Sequence, residues 1–126
     1  MVIISAMKTI LVMTSLLLAA APARAQSTAT LRGIDIYRSS VLKGDKAREL
    51  FGARISEIVA LRNTHRPVAL EKADVIRKQI EKEASEIPGI ADARLEITEY
   101  YTSVDHAMYV TFDIVDESDR GRLAFA

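Results

Sequence analysis

Residues Ile87–Glu117 read IPGIADARLEITEYYTSVDHAMYVTFDIVDE, and their alternation decides the fold. Before the central turn, Ala91, Ala93, Leu95 and Ile97 alternate with Asp92, Arg94, Glu96 and Thr98. After it, Met108, Val110, Phe112 and Ile114 alternate with Tyr109, Thr111, Asp113 and Val115. Successive strand side chains point to opposite faces, so two such runs joined by a polar segment predict an antiparallel hairpin with one buried face.

Upstream the period changes. Ala73, Ile76, Ile80, Ala84 and Ile87 recur at helical spacing. Pro67 suits the first turn, where its missing N–H is not needed, and Pro88-Gly89 stops the helix. Its other faces are charged and place Asp74–Lys78 and Lys82–Glu86 at i,i+4. An earlier helix carries Ala47, Leu50, Phe51, Ile55, Ile58 and Val59, with Asp45 as its expected N-cap. Gly52 inside it costs about 1 kcal/mol against Ala, which predicts a kink or an early end. Leu31–Tyr37 alternates again and reads as a first strand.

The fold class expected is therefore α+β: strand-helix-helix-strand-strand, a three-stranded mixed sheet with two helices on one face. The domain spans 31–119, after a mobile N-terminus over 26–30 and before a tail over 120–126.

Residues 1–25 read as a leader outside this fold. Lys8 precedes the apolar run Ile10–Ala21, and Ala23-Arg24-Ala25 places small residues for cleavage before Gln26. The rival reading is a retained membrane anchor, against which Lys8 interrupts the apolar run. The expected location is periplasmic or secreted. The whole chain of 126 residues holds 17 acids and 17 bases, and the leader takes away Lys8 and Arg24 and no acid. The remainder is slightly acidic, with no basic patch interleaved with aromatics, which argues against nucleic acid as a partner. Without cysteine there is no disulfide framework and no thiolate chemistry.

Candidate chemical groups are few. His65 and His106 fall in expected turns and have no metal-ligand spacing, so both read as exposed. Asp113, Asp116, Glu117 and Asp119 read as a solvated strand exit, because no glycine-bearing cation loop frames them. Ser39, Ser40 and Lys43, or Ser103, Asp105 and His106, could be pieces of a nucleophilic site, but no G-x-S-x-G element frames either serine. No catalytic, cofactor-binding or metal residue is assigned, and no cofactor is implied. Tyr100, Tyr101 and Tyr109 are placed to cluster near the end of the hairpin.

The stretches LRGIDIYRSS, EIPGIADARLEI and MYVTFDIVDES, in this order, resemble a POTRA-like (polypeptide-transport-associated) domain of bacterial envelope proteins. The likeness covers Leu31 to Asp119, with a longer first helix and neither the tandem copies nor the β-barrel usual in that family. It implies a non-enzymatic interaction module of the cell envelope whose second strand lies on a sheet edge. An open edge binds extended partners through main-chain groups, a mode called β-augmentation. The interaction edge expected here comprises Arg94, Glu96, Thr98, Tyr100, Tyr101 and Tyr109, with a protein partner, no nucleic acid, and a membrane only if the leader is kept. Proline at Glu96 is expected to remove an edge donor. Two alternatives are a small secreted enzyme or ligand-binding protein with an unrecognised site, and the docking domain of a longer protein.

Overall fold

The computed structural model describes residues 28–121, so the leader, the cleavage position and the end of the tail lie outside the described residues. The order is strand β1 (Thr30–Tyr37), helix α1 (Gly44–Arg62), helix α2 (Pro67–Ser85), strand β2 (Ile90–Tyr101) and strand β3 (His106–Asp116), then a single 3-10 turn over Glu117–Asp119. The sheet order is β1-β3-β2, with β1 parallel and β2 antiparallel to the central β3. The expected fold class holds.

The alternation works as its physics requires. Val110, Phe112 and Ile114 point from β3 into a core completed by Ala93 and Leu95 of β2, Phe51, Ile55 and Ile58 of α1, and Ala73, Ile76 and Ile80 of α2. Ile34 and Ile36 of β1 pack against this core, and Phe51 meets Phe112 with ring centroids 5.6 Å apart. Two bulges adjust the pattern. One lies between Leu31 and Gly33, so Leu31 aligns with Met108 and Gly33 with Tyr109. The other lies between Ile90 and Asp92, and it is Ile90 that is buried there while Ala91 is only half-buried. An inserted residue shifts the parity of everything before it, which plain alternation cannot register.

Several local expectations change. Lys43, not Asp45, occupies the N-cap position of α1, in extended conformation and without a side-chain cap. Asp45 sits in the first turn instead, where its charge faces the positive end of the helix dipole. The helix runs unbroken through Gly52 to Arg62, because Phe51, Ile55 and Ile58 are anchored in the core on either side. Leu50 is exposed rather than buried. Asp74–Lys78 pairs at 3.2 Å; Lys82–Glu86 is not among the ion pairs, and Arg77 bridges Asp74 and Glu81 instead. Arg54 of α1 forks Glu83 of α2, tying the helices together.

Two clasps close the ends of the sheet. Asn63, just past α1, donates its amide to Ala29 O and accepts from Ala29 N, both at 2.9 Å, so the segment read as a mobile N-terminus is fixed at its end. At the opposite end, Asp116 gathers the loop after β1. Its carboxylate accepts from Ser39 Oγ (2.6 Å), Ser40 N (2.8 Å) and Ser40 Oγ (3.1 Å). Ser39 Oγ in turn accepts from the backbone N–H of Leu42. Asp116 is therefore buried, a correction to its reading as part of a solvated exit. Its hydrogen bonds outweigh the cost of desolvation and hold its carboxyl below the usual carboxylate range. Asp113 is only partly exposed and is forked by Arg38.

Candidate functional site

Of the serines considered for nucleophilic chemistry, Ser39 and Ser40 are committed elsewhere: both hydroxyls donate to Asp116, and Ser39 Oγ also supports its own turn. His65 is exposed in the turn between the helices. His106 is not in a turn. It is the first residue of β3 and is buried under Tyr101, whose ring stacks on it at 4.0 Å. Its Nε2 lies 3.1 Å from Glu99 Oε2. Arg62 donates to the other oxygen, Oε1, at 2.7 Å, and the Tyr101 hydroxyl donates to Oε2 at 2.9 Å. Burial opposes the Glu99 charge, but Arg62, His106 and Tyr101 together prevail and lower its pKa to about 2. This cluster seals the end of the core where α1 meets the hairpin. Among the described residues no group of three His, Asp or Glu is placed to hold a metal.

The expected edge is β2, and its groups sort cleanly. Leu95 donates its backbone N–H to Glu81 Oε2 of α2 at 2.8 Å, and Ala93 donates to Asp92 Oδ1 at 2.8 Å. Both amides therefore point away from β3. In an antiparallel pair, outward and inward residues alternate, so Ile97, Glu99 and Tyr101 also face outward while Glu96, opposite Thr111, faces β3. The first half of the edge is plugged by side chains. The outward amides of Ile97, Glu99 and Tyr101 have no hydrogen-bond partner among the described residues. Proline at Glu96 would break the β2–β3 ladder, not the edge, and the expectation is corrected accordingly.

The side chains assigned to the edge divide between two faces. Arg94, Glu96, Thr98 and Tyr100 lie on the sheet face without helices, opposite Asp113, Thr111, Tyr109 and Ala107 of β3. Tyr101 turns to the helix side with His106, so the three tyrosines do not form one cluster. Tyr109 belongs to the central strand and not to an edge. It meets Tyr100 edge-on, with centroids 5.5 Å apart and an interplanar angle of 82°. Across β3 the same face continues onto Gly33, Asp35 and Tyr37 of β1, which align with Tyr109, Thr111 and Asp113.

Together these residues shape a concavity of about 540 Å³, lined among others by Asp35, Thr98, Tyr100, Ala107, Tyr109 and Thr111. Sequence reasoning missed Asp35, Thr111 and the edge plug Glu81. The first two could have been found by extending the outward parity across all three strands. Glu81 carried no signal, because its role depends on how α2 lies against β2. Comparison with family models, with curated proteins and with solved structures finds no match to this chain.

Proposed function

We propose that this chain is an exported, non-enzymatic interaction module of the bacterial envelope that takes an extended segment of a protein partner as a fourth strand beside β2. The observation that carries the reading is the divided edge: Ala93 and Leu95 have their outward amides capped, whereas Ile97, Glu99 and Tyr101 do not. An uncapped row of main-chain groups favours strand addition, and a capped row beside it limits where a strand can start. Thr98 and Tyr100 flank the free half on one face and Tyr101 on the other, which supplies alternate side-chain selectivity. The leader-like residues 1–25 and the likeness to POTRA-like domains support the envelope setting.

The test is amide hydrogen exchange on the full chain, alone and bound to a partner drawn from an envelope extract. The expected result is new protection at Ile97, Glu99 and Tyr101, with Ala93 and Leu95 little changed. Ile97→Pro removes one outward donor and should weaken capture by about tenfold or more while the β2–β3 ladder stays protected. A bound complex that leaves those three amides exchanging freely would overturn the reading.

A further inference from the structure

The open face of the sheet brings a tyrosine and an aspartate near each other twice, and one of these pairs is already filled. At one end, Tyr37 of β1 and Asp113 of β3 receive Arg38. Its guanidinium forks the carboxylate at 3.0 and 3.1 Å and lies 4.9 Å from the Tyr37 ring centroid. Further along the same face, Tyr109 of β3, opposite Gly33, and Asp35 of β1, opposite Thr111, offer the same two groups with the strands exchanged, set diagonally and not on one row. Gly33 gives the Tyr109 ring its place: a Cβ built there would stand 3.5 Å from the ring and 3.9 Å from Asp35 Oδ2, so ring and carboxylate converge over the glycine. Asp35 makes no ion pair among the described residues.

We propose that this concavity, floored by Tyr109 and Ala107 and flanked by Asp35, receives the guanidinium of an arginine carried by a protein partner. The charge is complementary. Asp105 at the rim is already paired with Arg32 at 2.7 Å, and Asp113 with Arg38, so the unbalanced charge inside is the carboxylate of Asp35. Glu96, across Thr111 from Asp35, adds a second negative group on the same row. A planar cation that forks a carboxylate and stacks on a tyrosine suits these groups better than a compact ammonium. A neutral sugar would use the rings and threonine hydroxyls but would leave the charge of Asp35 unbalanced.

This contact is separate from strand addition. A strand beside β2 would lie about 14 Å from β1, three strand spacings away, so its own side chains would not reach Asp35. The pocket and the edge can therefore fail independently.

The test is an NMR titration of the full chain with three probes: acetyl-Gly-Arg-Gly-amide, acetyl-Gly-Gln-Gly-amide and tri-N-acetylglucosamine. The arginine peptide should shift the Tyr109 ring and Asp35 signals, and the glutamine peptide should not. Asp35→Asn and Tyr109→Leu should each weaken the arginine peptide by about fivefold or more at an unchanged melting temperature. Equal binding of the two peptides, indifference to Asp35→Asn, or occupation of the pocket by the sugar alone would overturn the proposal. Loss of partner capture in Ile97→Pro with these titrations intact would bear on the edge and not on the pocket.

Discussion

Ser39 donates its hydroxyl to Asp116 at 2.6 Å although 77 residues separate them, and this bond ties the loop after the first strand to the end of the last. A buried carboxylate stays charged only when its oxygens are fully used, and here three donors use them. Asp116→Ala should cost about 2–4 kcal/mol in urea denaturation, since it leaves the Ser40 amide and two hydroxyls without their acceptor. Asp116→Asn should cost less, because one oxygen remains to accept. A loss under about 0.5 kcal/mol for the alanine variant would show that the clasp is incidental.

Glu99 predicts the acid limb of stability. Its pKa in the folded chain is lowered to about 2 from 4.5, so the folded state binds its proton more weakly than the unfolded chain does. The stability it contributes is present above pH 4.5 and is lost as pH falls toward 2. Asp116 is shifted the same way and adds to the same limb. Unfolding free energy measured against pH should fall across this window, and Glu99→Gln should flatten the fall while lowering stability at neutral pH by about 1–3 kcal/mol. An unchanged acid limb in that variant would remove Glu99 from the account.

Two glycines should respond to alanine with opposite sign. Gly89 has φ +94° in the turn into β2, and an added Cβ would stand 3.3 Å from both Val41 methyl carbons. Gly89→Ala should destabilise by about 1–3 kcal/mol. Gly52 lies within α1 with nothing within 4 Å of a built Cβ, and Gly52→Ala should stabilise by about 0.5–1 kcal/mol. Thermal denaturation of the two variants decides both, and shifts in the same direction would contradict this account.

Element types, their order and most of each buried face were legible from residue pattern, although Leu50 proved exposed and the bulge at Ile90 put that residue and not Ala91 inside. Hydrophobic periodicity is local, and the stripes of α1, α2, β2 and β3 can be read within single windows of the chain. The turn at Pro88-Gly89 and the start of α2 at Pro67 are local in the same sense, since both follow from backbone restrictions on single residues. The relationships between distant residues came from packing alone. The burial of Asp116 and His106, the half of β2 capped by Glu81, and the meeting of Asp35 with Tyr109 over Gly33 each depend on which elements lie side by side. A side chain's charge and outward parity are written in its own neighbourhood, but whether it ends in water, in a clasp or at an open pocket is set by packing partners dozens of residues away.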